Sequence, residues 1–94
     1  MVPVSTDQPE DVSWPFSIRN LSVLAYAQGF TLWHYKAGPV PMRRVGATGF
    51  MDPAANMVRS GDLVMASGVT GGAIFLAQVH AGTVVLSPIT GDVS

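Results

Sequence analysis

The run Phe30-Thr31-Leu32-Trp33-His34-Tyr35 limits the fold more than any other part of the chain. Aromatic and β-branched residues at this density favour a strand. Strand alternation sends Phe30, Leu32 and His34 to one face and Thr31, Trp33 and Tyr35 to the other. Both faces therefore carry large apolar bodies. The chain has 94 residues, enough for one domain and too few for three layers with such a strand in the middle. One face then belongs in the core and the other against a partner.

Charge usage points the same way. Only 12% of residues are charged, against about 25% in an ordinary soluble domain, although a small domain has the most surface per residue to keep wet. A membrane span would need about 20 consecutive apolar residues, and Gly, Pro or charge interrupts every stretch here. The N-terminus carries prolines and acids, unlike the basic start and apolar core of a signal peptide. What remains is a neutral, Gly-rich β domain of low solubility, or a surface largely covered by partners, where charge is depleted. The second is the better reading. A net charge of −1 gives no strong attraction to nucleic acid or to an anionic membrane.

Along the chain, residues 1–20 read as an extended arm, with a flexible tail over residues 1–12 as the equal alternative. Pro3, Pro9 and Pro15 prevent regular pairing, and Asp7, Glu10 and Asp11 make it acidic. At its end Trp14, Phe16 and Ile18 alternate, as in an extended segment pinned by one side to this chain or to a neighbour. Residues 21–94 read as a single β domain. Leu21 to Ala27 fits a short helix or a strand. Ala37 to Gly49 reads as a Gly- and Pro-rich loop holding the only paired basic residues, Arg43 and Arg44. Asp52-Pro53 resembles an N-cap followed by proline, opening one helical turn to about Val58 and closed by Gly61. Asp62 to Ser67, Ala73 to His80 and Thr83 to Ile89 are short β-prone runs between Gly-rich turns, a meander that is again apolar on both faces. Such spacing favours a small barrel or sandwich.

Chemistry-bearing constellations are scarce. Cysteine is absent, which removes disulfides and thiolate sites. His34 sits mid-strand among aromatics, where a hydrogen-bonded structural histidine is the simplest reading, and His80 ends a strand beside a turn. Neither has metal or triad spacing. Asp52 has a capping role and Asp62 a turn role, so they do not read as a catalytic carboxylate pair. Gly68-Val-Thr-Gly-Gly72 lacks the Lys-Ser/Thr and helix of a phosphate loop. Phe30, Trp33 and Tyr35 suggest the stacking platform of a single-strand nucleic-acid-binding barrel, but five basic residues scattered along the chain supply little of the groove it needs. No catalytic, metal or cofactor site is expected, and the chain does not read as an enzyme.

Three blocks carry a resemblance: Leu21-Ser-Val-Leu-Ala-Tyr-Ala-Gln-Gly-Phe-Thr-Leu-Trp-His-Tyr35, Gly49-Phe-Met-Asp-Pro-Ala-Ala-Asn-Met57 and Ser60-Gly-Asp-Leu-Val-Met65. They resemble small virion proteins of tailed phages and prophages of Gram-negative bacteria, over about Leu21 to Ile89. Asn56 stands where the family pattern has an acid, which speaks against a carboxylate site there. The resemblance implies a capsid decoration or cement protein. Such a protein is made in the host cytoplasm and bound to the outside of the head, where it clamps neighbouring major capsid subunits around the packaged DNA. It also implies a homotrimer, with the major capsid protein and sister subunits as partners and no direct contact to nucleic acid or membrane. Another virion position, in a head fibre, neck or tail, is the alternative.

The expected fold is mainly β: a small, β-tulip-like barrel or sandwich with one short helical turn and an extended N-terminal arm. Under this reading Trp33 and Tyr35 fill subunit contacts, and Trp14, Phe16 and Ile18 anchor the arm. Arg43 and Arg44 pair with capsid carboxylates.

Overall fold

The computed structural model describes residues 14–89. A 3-10 turn at Ile18–Asn20 leads into β1 (Leu21–Ala27) and β2 (Phe30–Gly38). Residues 39–62 then cross over, with a helical turn α1 (Met42–Val45) and a second 3-10 turn at Asp52–Ala54. β3 (Leu63–Gly68), β4 (Gly71–His80) and β5 (Thr83–Pro88) follow. The five strands form one sheet in sequence order. Three of the pairings are antiparallel, and β2 runs parallel to β3. That exception follows from the connections. A parallel neighbour cannot be reached by a tight turn, so the chain needs a long return segment.

The fold is mainly β, and the strands fall where alternation and glycine placed them. Leu21 to Ala27, ambiguous by periodicity, is a strand because β2 pairs with it along its length. The sheet does not close into a barrel, since β1 and β5 lie at opposite edges. The segment read as a loop from Ala37 to Gly49 begins with the last two residues of β2 and contains α1. Asp52 is not an N-cap: Met51 holds that position, and the Asp52 carboxylate instead accepts the Val84 N–H at 2.9 Å. Of the expected arm, residues 1–13 lie outside the described residues. The turn between β4 and β5 is Ala81-Gly82 with φ of 50° and 84°, the left-handed pair that matches strand twist.

Burial alternates along β3, β4 and β5, so one face of the sheet is the core face. Trp33, Tyr35, Val64, Ala66, Phe75, Ala77, Val84 and Leu86 point into it. The crossover covers them with Val40, Val45, Phe50, Met51, Ala54 and Val58. The architecture is thus a sheet with one layer of irregular chain on one side.

The parallel seam has one tight point. A Cβ placed on Gly68 would strike the Gly38 carbonyl oxygen, and would stand 3.0 Å from Gly38 N and 3.1 Å from the Ala37 Cβ. Two of these three neighbours are backbone atoms, which cannot step aside without unzipping the end of the β2–β3 pair. Gly68→Ala is expected to lower stability by about 1–3 kcal/mol, as overpacking does. A urea midpoint equal to that of the parent would show that the seam is not close-packed there.

Candidate functional site

The second face of the sheet is defined by register. Ala25, Leu32, Leu63 and Leu76 form one row across β1 to β4. His34, Met65 and Ile74 form the next, and Val85 lies beside Gln78 toward β5. Leu32, Leu63, Met65, Ile74, Leu76 and Val85 are all half-buried. None of the buried residues lies on this face, because the crossover and the Trp14–Phe16 segment pack on the other side. The face is also neutral except for Lys36 at one end and the histidines. His34 Nε2 lies 2.8 Å from Ser67 Oγ on the neighbouring strand, the hydrogen-bonded histidine expected from its setting.

Five strands at about 4.8 Å and some six residues at about 3.3 Å give the whole face roughly 480 Å². That area includes polar positions such as Lys36, Ser67 and Gln78, and the apolar rows are its central part. A typical monomer's largest apolar patch is about 300–600 Å² and is often functional. An apolar, uncharged plane of this kind can bind another surface by excluding water. Its polar groups include Lys36 and His34, the latter hydrogen-bonded to Ser67 Oγ.

A cleft of about 560 Å³ opens beside the β1–β2 hairpin, lined by Tyr26, Phe30, Trp33, Met57, Arg59 and Asp62, among others. Its wall depends on a β-bulge. The register slips between Val23 and Ala25, so Leu24 is the extra residue. A bulge reverses the facing of the residues after it, and Tyr26 is turned to the cleft side opposite Thr31.

At the floor of the cleft Asp62 is 4% exposed. Its Oδ1 accepts the Thr31 N–H at 2.9 Å, and its Oδ2 accepts the Trp33 indole N–H and the Arg59 N–H, each at 2.9 Å. Burial pushes its carboxyl up. The bonds from Trp33, Arg59 and Thr31, with the Arg59 charge, outweigh this and hold it below its ordinary value. These three donors occupy both oxygens, making Asp62 a staple between β2 and the end of the crossover.

The residues expected to contact partners fall in different places. Tyr35 and Trp33 are 1% and 7% exposed, so both side chains are used inside the chain and are not available to a sister subunit. The same burial removes the stacking platform suggested for nucleic acid, because Trp33 and Tyr35 lie inward while Phe30 alternates to the opposite face. Trp14 and Phe16 pack on this chain's own core. Phe16 stacks on Tyr35 with centroids 5.1 Å apart and meets Phe50 edge-on at 5.7 Å. Ile18 does not join them; it is exposed in the first 3-10 turn. Arg44 Nε donates to the Trp14 carbonyl at 3.4 Å and its guanidinium lies 4.9 Å over the Phe50 ring. It therefore ties the N-terminal segment to the crossover. Arg43 is exposed on α1.

Sequence reasoning saw that the strands were apolar on both faces but gave the aromatic face to the partner. The small buried residues Ala66, in register with Tyr35, and Ala77, in register with Leu86, were the available signal. They leave the depth that large rings and a covering crossover require. No protein-family model, curated protein or solved structure matches the chain.

Proposed function

We propose that this chain is a structural protein of a virion, a capsid decoration protein that seats its open sheet face on the outside of a phage head and clamps neighbouring capsid subunits. One observation carries the reading: the neutral apolar face around Leu32, Leu63, Leu76 and Ile74, which no described segment covers. The scarcity of charge over the whole chain supports it, as does the resemblance of about Leu21 to Ile89 to small phage virion proteins. The role is mechanical. A shell under internal pressure gains from apolar area buried across the line where its subunits would part.

The test is to add the purified chain to phage heads stripped of it, and to count copies per particle. Hundreds of copies and a raised temperature of head rupture are expected. Six or twelve copies would move the chain to a neck or tail position. The double variant Leu63→Lys/Leu76→Lys, with circular dichroism confirming its fold, is expected to bind about 100- to 10,000-fold more weakly, since each leucine loses about 1.5–3 kcal/mol of burial. Undiminished binding by this variant would remove the open face from the interface.

A further inference from the structure

The two edges of the sheet are finished differently. At β5 the crossover plugs the edge: Asp52 accepts the Val84 N–H at 2.9 Å, the Gly49 N–H donates to the Val84 carbonyl at 3.4 Å, and Pro88 ends the strand. At β1 no described segment does this. All seven residues lack charge and none is proline. Every one after Leu21 is exposed, with Leu24 at 54% and Tyr26 at 81%. Natural edge strands are guarded by lysine, proline, shortness or a covering loop, because a bare apolar edge recruits another strand. The bulge at Leu24 adds twist, and among the described residues it is the only guarding device β1 has.

We propose that β1 is the interface between two copies of this chain, paired antiparallel edge to edge about a twofold axis, so that two sheets run on as one of ten strands. A second copy fits for three reasons. With both Val84 backbone groups taken and Pro88 at its end, β5 offers a shorter free edge than β1, so within a homo-oligomer β1 pairs best with its own kind. A strand that is neutral from Leu21 to Ala27 meets no like charge when reversed against itself, as a self-complementary twofold contact requires. Finally, pairing doubles the open face from roughly 480 to roughly 960 Å². That exceeds the approximately 800 Å² per partner of a standard stable interface, which one copy alone does not reach. The third reason rests on the capsid reading and the first two do not, so dimers that ignore phage heads would overturn only that reading.

Sedimentation of the full chain is expected to give a dimer, and Leu24→Lys/Tyr26→Lys is expected to halve the mass with the melting temperature held within a few degrees. Because the chain has no cysteine, single cysteines report the contact directly. Among Ser22→Cys, Leu24→Cys and Tyr26→Cys, at least one is expected to link two copies on mild oxidation, since the residue nearest the twofold axis faces its own equivalent. Val69→Cys, exposed on the β3–β4 turn, is expected to stay unlinked. This readout serves even if the lysine variant fails to fold. A monomeric parent overturns the proposal. So does a trimer or dimer whose mass the folded lysine variant leaves unchanged, or linkage at Val69→Cys with none in β1.

Discussion

Asp62→Ala is expected to leave a large share of the chain unfolded at room temperature. The substitution strands three donors, the N–H groups of Thr31 and Arg59 and the indole N–H of Trp33, around a site that is 4% exposed. Each unsatisfied buried donor costs about 1–3 kcal/mol, and even partial rehydration through the cleft leaves a loss of about 3–6 kcal/mol. Whole domains have about 5–15 kcal/mol, and small ones fall at the low end because they bury less of their surface. Urea denaturation followed by Trp fluorescence measures this directly. Asp62→Asn retains one acceptor and should fall between the parent and the alanine variant. If alanine leaves the midpoint in place, the staple is not what joins β2 to the crossover.

The same carboxylate sets an acid limit. Its folded-state pKa lies below its ordinary value, so as pH falls the unfolded chain takes up a proton first. The stabilisation is therefore complete above about pH 5, beyond the ordinary aspartate value of about 3.9. It is lost as pH drops through the folded-state value. Asp62→Asn should remove this part of the pH dependence while other carboxylates keep theirs.

Tyr35→Ala is expected to cost about 3–5 kcal/mol, the range for deleting a buried aromatic ring. The ring stacks on Phe16 at 5.1 Å and meets Phe50 edge-on at 5.7 Å, and its hydroxyl accepts the Ser17 N–H at 3.0 Å. Losing it also loosens the seat of Trp14 and Phe16, so the N-terminal segment should become protease-sensitive. Tyr35→Phe keeps the rings and drops only the hydroxyl bond, at about 1 kcal/mol. Thermal melting of the isolated chain separates a core role from a contact role. A Tyr35→Ala protein that melts like the parent but fails to assemble would return Tyr35 to the interface, against its 1% exposure.

Strand positions were legible because the determinants are local: alternation in Phe30 to Tyr35 and glycine at the turns. The choice of core face was not. It is decided by Val40, Val45, Phe50, Met51 and Val58, residues scattered through a segment whose Gly and Pro content reads only as loop. Their apolar spacing has no period because the chain there is irregular. The roles of Asp52 and Asp62 were illegible for a related reason. Asp62 does make the local turn contact with Arg59, but the partners that matter for the fold, Val84 for Asp52 and Thr31 and Trp33 for Asp62, lie some thirty positions distant in sequence. The arm's aromatics were recognised as a docking element, yet a sequence does not say whether the dock is one's own core.

The parallel pairing of β2 with β3 also orders the making of the molecule. The β1–β2 hairpin and the β3–β4–β5 meander are each built from neighbours in sequence, joined by turns of about two residues. Only their union requires closing the long segment 39–62, at roughly 2 kcal/mol more chain entropy than a tight turn by the logarithmic law. That closure is repaid late, when Trp33 reaches Asp62 and the crossover seats on the rings. Until then, two half-sheets expose four apolar faces and two additional strand edges to every other nascent copy. The chain is thus most vulnerable to misassembly between forming its hairpins and closing its seam.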